Sequence, residues 1–210
     1  MTVSSHPAPA RTDLTPSVAT GTAPVALTRS GIRRAGLALT TGTVLWASTM
    51  VVWGSTATGF GGRMGDLGGL AFQLGLFALL QVQLRTRATG TSRAAVGMIY
   101  VEHVLLAVAS LWSLLHAITP DTGWLVALDV FWPLSMLGMA VIGIKIARTG
   151  RWSGALRVWP VVAESWVFVA VPAYGIIGGT VASVIGAGHL LLGYATLGVL
   201  LTRRPELTGR

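Results

Sequence analysis

Six ionisable side chains lie inside long apolar stretches of this sequence, where polar residues are rare. They are Glu102, His103, His116, Asp129, Glu164 and His189. A charged group in the hydrocarbon core of a bilayer costs at least about 2.5 kcal/mol, so such residues normally face a bundle interior and find a partner there. Carboxylates and imidazoles together can relay protons or act as acid and base on a bound substrate. They can also be purely structural, joining neighbouring helices by hydrogen bonds.

The two glutamates are predicted to lie at one depth. Counted along a helix, Glu102 lies roughly 13 Å past Arg93, and Glu164 lies roughly 10 Å past Arg157. We therefore predict that Glu102 and Glu164 face one interior site, with His103 beside them.

A second polar layer is predicted nearer to the other side of the bundle. Asp129 lies roughly 12 Å from Asp121, and His189 lies roughly 13 Å from Thr180. These depths predict an Asp129–His189 pair, with His116 above it. The complete pattern is a polar column, with glutamates at one level and aspartate with histidine at the other.

Aromatic side chains near this column are expected to line an apolar pocket. Trp132 and Trp166 lie too deep in their segments to belong to an interfacial belt, and we assign Tyr174 to the same pocket. The faces of such rings can stabilise a cation. The belt itself suits four other tryptophans, namely Trp53, Trp124, Trp152 and Trp159.

Six apolar segments carry the six ionisable residues and the predicted pocket residues. The predicted spans are about 35–57, 67–84, 94–118, 123–146, 156–177 and 180–202. Each is close to the roughly 20 residues that a helix needs to cross hydrocarbon. The apolar runs are continuous rather than alternating, which favours helices over barrel strands. The predicted fold class is an all-α integral membrane protein, a six-helix transmembrane bundle over residues 33–204.

The basic residues fall in every second loop and at the two ends of the chain. One loop carries Arg85, Arg87 and Arg93, the next basic loop carries Lys145, Arg148, Arg151 and Arg157, and the ends carry Arg33, Arg34, Arg203 and Arg204. Lysine and arginine accumulate in cytoplasmic loops, so both termini are predicted to be cytoplasmic. The Ala/Gly/Arg-rich, Lys-poor composition favours a bacterial plasma (inner) membrane.

The ends of the chain differ from the apolar segments. Residues 1–32 are rich in Ser, Thr, Pro and Ala, and this composition predicts a disordered cytoplasmic tail. Residues 205–210 are predicted to be a second, short cytoplasmic tail.

Composition excludes several other classes of protein. The chain is 52% hydrophobic and only 10% charged, far from the balance of a soluble domain. The net charge of +8 does not predict nucleic-acid binding, because the arginines sit at the ends of apolar runs, where they meet lipid head groups. The chain has no cysteine, so it has no thiolate metal site. Small residues at Gly175/Gly179 and Ala182/Gly186 predict close helix packing or, alternatively, a homodimer interface.

Three classes of function fit the polar column, and the sequence does not separate the first two. One is a membrane-embedded enzyme in which Glu102 and Glu164 act as acid and base on a lipid or isoprenoid. Another is a carrier or channel for a hydrophobic or proton-linked small molecule. The third is a protein with a single b-type haem held by His189 and another histidine, which the mismatched depths of the histidines disfavour. We expect no cofactor, with the lipid bilayer and a hydrophobic small molecule as partners.

Overall fold

The computed structural model describes residues 1, 27–54, 57–119 and 123–209, and this part of the chain is helical throughout, without strands. Most of the predicted N-terminal tail, together with Asp121, lies outside the described residues. Six helical stretches are long and apolar enough to cross a membrane, which confirms the predicted all-helical, multi-pass class. The spans are Arg29–Trp53, Gly59–Arg85, Arg93–Ile118, Gly123–Thr149, Gly154–Ile176 and Gly179–Arg203.

The first three spans are uninterrupted helices: α1 (Arg29–Trp53), α2 (Gly59–Arg85) and α3 (Arg93–Ile118). The hydroxyl of Thr28 accepts a hydrogen bond from the Gly31 amide at 3.2 Å, so α1 begins inside the stretch predicted to be a tail. The α2 helix begins at Gly59 rather than at the predicted residue 67. Propensity alone disfavours this glycine-rich first turn, and the turn packs on α1 through Phe60, which meets Trp53 edge to face at 6.1 Å.

The last three spans are all interrupted. The fourth begins with a 3₁₀ turn, Gly123–Leu125, and continues as α4 (Val126–Asp129) and α5 (Phe131–Thr149). The fifth consists of α6 (Gly154–Glu164) and α7 (Trp166–Ile176). The sixth consists of α8 (Gly179–Leu190), a π-helical turn (Leu191–Ala195) and α9 (Thr196–Arg203), followed by a 3₁₀ turn, Pro205–Thr208. These interruptions change which side chains face the interior.

The break in the fifth span has a local cause. The Ser165 hydroxyl donates to the carbonyl of Val162 at 2.7 Å, in competition with the regular helical ladder. Pro160 and Pro172, on either side of the break, lack the amide hydrogen that the ladder needs. The helix of the fifth span is therefore interrupted at Ser165.

The spans form a closed ring in chain order. Each packs on the next, from α1 against α2 to α7 against α8, and the sixth span returns to pack on α1. Side chains from all six spans fill the centre of the ring. We call the end with Arg85, Arg93 and Arg203 the arginine end, and the opposite end, where α1 ends and α2 begins, the distal end.

Glycines let α1 approach its neighbours closely. A Cβ atom at Gly42 would lie 2.3 Å from the carbonyl oxygen of Ala71 on α2, and one at Gly36 would lie 2.5 Å from that of Gly198 on α9. Such contacts matter in lipid, where association depends on close packing rather than on hydrophobic burial. Of the predicted small pairs, Ala182 and Gly186 are buried, whereas a Cβ at Gly175 or Gly179 would meet nothing within 4 Å.

The arginine end is held together by hydrogen bonds between its loops. The Trp152 indole donates to the Thr86 hydroxyl at 3.0 Å, and the Thr149 hydroxyl donates to the Ala88 carbonyl at 2.7 Å. Trp152 is fully buried, so its predicted place in an interfacial belt is wrong. The predicted C-terminal tail is also packed, because the Leu207 carbonyl accepts from the Ser153 amide at 2.9 Å and Thr208 is buried.

Candidate functional site

Both glutamates point into the bundle, as the sequence predicts. Glu102 is 1% exposed and Glu164 is 4% exposed. The Ser135 hydroxyl donates to Oε1 of Glu102 at 2.5 Å, and the Tyr194 hydroxyl donates to Oε2 of Glu164. Oε2 of Glu102 has no hydrogen-bond partner in the described part of the chain. The partners of both carboxyl groups are therefore hydroxyl groups, which are uncharged.

Two glycines of α5 make room for the glutamates. A Cβ at Gly138 would lie 1.9 Å from Oε2 of Glu102, and one at Gly143 would lie 3.3 Å from Cγ of Glu164. Both glutamates thus pack on the same helix, one from each side. No described hydrogen bond joins their carboxyl groups directly, so a single shared site remains a prediction.

Tyr194, the hydrogen-bond partner of Glu164, lies in the π-helical turn. An inserted residue in a helix shifts the register of the residues after it, and π turns are frequent at functional sites. Tyr194 is 1% exposed within this turn. The Trp159 indole donates to the carbonyls of Leu192 and Gly193 at 3.3 and 3.1 Å, which satisfies backbone groups of the turn. Trp159, predicted to be a belt residue, therefore supports the geometry of the site.

A layer of aromatic rings lies between the glutamates and the distal end. Trp46 stacks on Phe72 with ring centroids 5.0 Å apart, and Phe72 meets Tyr194 edge to face at 4.9 Å. Trp46 also contacts Trp132 at 6.0 Å and Trp166 at 5.5 Å. We call these five residues the aromatic layer.

A cavity of about 320 Å³ opens on the distal side of this layer. Trp46 and Trp132 belong to its wall, and glycines at the start of α2 form part of its rim. Its polar lining residues are Thr49, Asp66, Gln73, Ser113, His116, Asp129 and Tyr174. Neither Glu102 nor Glu164 lines it.

Within this distal cavity, His116 is paired with Asp66, an acid that was not among the predicted site residues. Nδ1 of His116 donates to Oδ2 of Asp66 at 2.8 Å. The Trp112 ring stacks on the imidazole, with centroids 4.9 Å apart and planes at 11°. Asp66 lies just outside the predicted second span, which begins at residue 67. In the structure it lies within α2, because this helix begins at Gly59.

The predicted Asp129–His189 pair is not formed. Nε2 of His189 donates to the Ser165 hydroxyl at 3.0 Å, because the hydrogen of that hydroxyl is used by the Val162 carbonyl. Asp129 is exposed at the mouth of the distal cavity instead. Asp129 ends α4, just before the interruption of the fourth span, whereas His189 lies within the helix α8 and is held by its bond to Ser165.

His103 does not lie beside the glutamates. Its Nδ1 donates to the Ile99 carbonyl at 2.8 Å, and its Nε2 accepts from the exposed side chain of Gln81 at 2.9 Å. His103 points in a different direction from Glu102, since neighbours on a helix point about 100° apart. His103 is a structural link between α2 and α3.

The predicted aromatic pocket is formed in part. Trp132 and Tyr174 line the distal cavity, whereas Trp166 is 2% exposed and donates to the Gly186 carbonyl at 2.8 Å. Trp166 therefore joins α7 to α8 rather than facing a ligand space.

Sequence reasoning missed four residues that define the site, namely Asp66, Gln73, Ser135 and Tyr194. One available signal was that polar groups recur within apolar spans at Gln73 and Ser135. For Tyr194 the signal was helical spacing, because a regular helix places it on the same face as the buried residues Ala187 and Leu190.

The geometry also bears on haem. Both ring nitrogens of His103 have hydrogen-bond partners, so His103 would have to break one of these bonds to bind haem iron, whereas His116 and His189 each use only one ring nitrogen in the hydrogen bonds described above. Within the described residues, no group of three or more His, Asp or Glu side chains could hold a metal ion.

No protein-family model matches the chain, and neither a curated protein nor a solved structure matches it. Function is therefore inferred from the geometry of the site.

Proposed function

We propose that this protein is a small membrane carrier that couples the movement of a small molecule to the binding and release of protons at Glu102 and Glu164. The observation that carries the proposal is the burial of both carboxyl groups in the bundle with hydroxyl partners. A carboxylate paired with arginine or lysine would be held in its charged form. A hydroxyl group that donates to the carboxylate favours the charged form less strongly, because the hydroxyl carries no charge.

The chemistry of the hydroxyl group suits proton exchange. A hydroxyl can donate to an ionised carboxylate, and it can also accept from a protonated carboxylic acid. Ser135 and Tyr194 can thus keep a hydrogen bond to Glu102 and Glu164 in either protonation state. Proton gain or loss then requires no ion pair to break, which lowers the cost of cycling between the two states.

The two ends of the bundle support transport rather than catalysis. The arginine end is closed by bonds between loops, and the distal end has a cavity above the aromatic layer. A carrier that is open to one side has this asymmetry. A membrane-embedded enzyme that used Glu102 and Glu164 would need them in contact with its substrate, but neither lines the distal cavity.

We also propose that the arginine end faces the cytoplasm of a bacterial-type plasma membrane, as the distribution of arginine favours. Reporter fusions at Gly90 and Gly150 should then give cytoplasmic signals, and a fusion at Gly61 should give an external one. An external signal at Gly150 would overturn this orientation.

Proton binding can be tested without knowing the transported molecule. The purified protein, adsorbed in vesicles on a solid-supported membrane, should produce a transient charge displacement after a pH jump. Glu102→Gln and Glu164→Gln should each reduce the displacement, and the double variant should abolish it. Glu206→Gln is the matched control, because Glu206 is an exposed acid near the C-terminus. An unchanged displacement in the folded double variant would refute the proposal.

A further inference from the structure

The distal cavity is distinct in its chemistry from the glutamate site. Its described lining contains two acids, Asp66 and Asp129, and no lysine or arginine. His116 donates one hydrogen bond to Asp66, which leaves the other carboxylate oxygen of Asp66 and the whole carboxylate of Asp129 as acceptors. The space therefore favours a ligand that brings positive charge and hydrogen-bond donors.

A buried amide on the cavity wall points to the same kind of ligand. Gln73 is 1% exposed and lines the cavity, yet its Oε1 has no hydrogen-bond partner in the described part of the chain. A buried polar atom without a partner costs roughly 1–3 kcal/mol, so its persistence suggests a role.

The orientation of this amide is fixed by its neighbours. Nε2 of Gln73 donates to the Ser113 hydroxyl at 3.1 Å, and that hydroxyl in turn donates to the Ala109 carbonyl at 3.3 Å. The Ser113 oxygen can therefore only accept from the amide. The Gln73 atom without a partner is therefore the amide oxygen Oε1. It is a hydrogen-bond acceptor, as are the carboxylate oxygens of Asp66 and Asp129.

Aromatic rings supply the rest of the lining. Trp46, Trp112 and Trp132 border the cavity. Indole faces attract organic cations, with the strength of the attraction rising when the cation is desolvated. An inorganic cation is held by oxygen ligands and makes no use of aromatic faces, and no group of three or more His, Asp or Glu side chains within the described residues could hold a metal ion. A volume of about 320 Å³ is at the small end of ligand sites, which are roughly 300–1,000 Å³.

We propose that the distal cavity binds a small organic ammonium ion, with an N–H group donating to Oε1 of Gln73, the charge facing Asp66 and Asp129, and an apolar body against Trp46 and Trp132. This inference rests on the proposed function in one respect only: it names the class of molecule that the carrier would move. The binding itself does not require proton coupling.

Three probes that share a phenethyl group separate the effect of charge from that of hydrogen bonding. Phenethylammonium has both a charge and N–H donors, its N,N,N-trimethyl derivative has the charge alone, and 2-phenylethanol is uncharged. Titration of the full-length protein in detergent should show saturable binding of phenethylammonium, by calorimetry and by tryptophan fluorescence. The alcohol should bind at least about tenfold more weakly, since a hydrogen bond to a charged group is replaced by a neutral one.

Variants locate the binding. Gln73→Leu should weaken phenethylammonium at least about tenfold and leave the trimethyl derivative nearly unchanged, because only the former donates to Oε1. The matched control is Gln83→Leu, since Gln83 is also 1% exposed with a partnerless Oε1 but does not line the cavity. Asp66→Asn and Asp129→Asn should each weaken both cations. If Asp66→Asn does not fold, Asp129→Asn and Gln73→Leu still decide the matter.

Three results would overturn the ammonium site: equal binding of the alcohol and the amine, an effect of Gln83→Leu as large as that of Gln73→Leu, or displacement of the probe by millimolar sodium. The proposed function fails separately. If the protein binds ammonium but shows no proton-dependent charge displacement, the ammonium site stands and the proposed proton coupling is refuted. If the charge displacement depends on Glu102 and Glu164 but no ammonium binds, proton coupling stands and the ammonium site is refuted.

Discussion

The two ends of this bundle differ in packing: the arginine end is closed, and the distal end holds a cavity. At the arginine end, side chains bridge one loop to another, and large residues such as Trp152 are completely buried. At the distal end, glycines at the start of α2 leave space, and the polar side chains of Asp66, Gln73 and Asp129 face a cavity. The buried glutamates lie on the closed side of the aromatic layer. In the proposed carrier, this difference corresponds to one state, which is accessible from the distal side and closed at the other.

The largest expected effect concerns accessibility. The chain has no cysteine, so single cysteine variants can be labelled without background. Gly65→Cys lies in the cavity lining with nothing within 4 Å of its Cβ, whereas Ala88→Cys lies at the arginine end where the native residue is 0% exposed. A water-soluble maleimide should label the former at least about 100-fold faster, because reaching the latter requires local opening. Similar labelling rates at the two positions would contradict the difference in accessibility between the two ends.

The next effect concerns the room made for Glu102. Gly138→Ala should destabilise the protein by about 1–3 kcal/mol, because its Cβ would overlap Oε2 of Glu102. The same substitution should cost much less in a Glu102→Ala background, as measured by the free energy of unfolding in mixed micelles. Gly97→Ala is the control, since a Cβ there meets nothing within 4 Å. Additive effects of the two substitutions would show that Glu102 does not occupy the space beside Gly138.

The smallest effect concerns the closure of the arginine end. Trp152→Phe keeps an aromatic ring but removes the hydrogen bond to Thr86, which should lower the free energy of unfolding by about 0.5–1.5 kcal/mol. It should also speed the labelling of Ala88→Cys, because the bond holds the loops together. Trp124→Phe, at an exposed tryptophan of the distal end, should change neither quantity. Faster labelling without any change at Gly65→Cys would tie the bond specifically to closure.

The sequence predicted the class and the inward direction of both glutamates, because apolar length and helical faces depend on local pattern alone. It failed for His103, because matched depth does not decide which face a residue lies on, and neighbours on a helix point about 100° apart. It failed for Asp129, which ends α4 just before the fourth span is interrupted. Asp66 was missed for a different reason, because the glycine-rich start of α2 did not read as helix from the sequence. Neighbouring helices stabilise a segment whose own propensity is poor.

The most direct test of the central claim is infrared difference spectroscopy of the reconstituted protein after a pH jump, because the carboxyl groups themselves absorb. We predict carboxylic-acid carbonyl bands that change with pH, one lost in Glu102→Gln and another lost in Glu164→Gln. The Glu164 band should shift in Tyr194→Phe, which removes its hydrogen-bond donor, and all bands should persist in Glu206→Gln. A pH-jump spectrum that keeps every carboxyl band in the folded Glu102→Gln/Glu164→Gln double variant would contradict proton exchange at the buried pair.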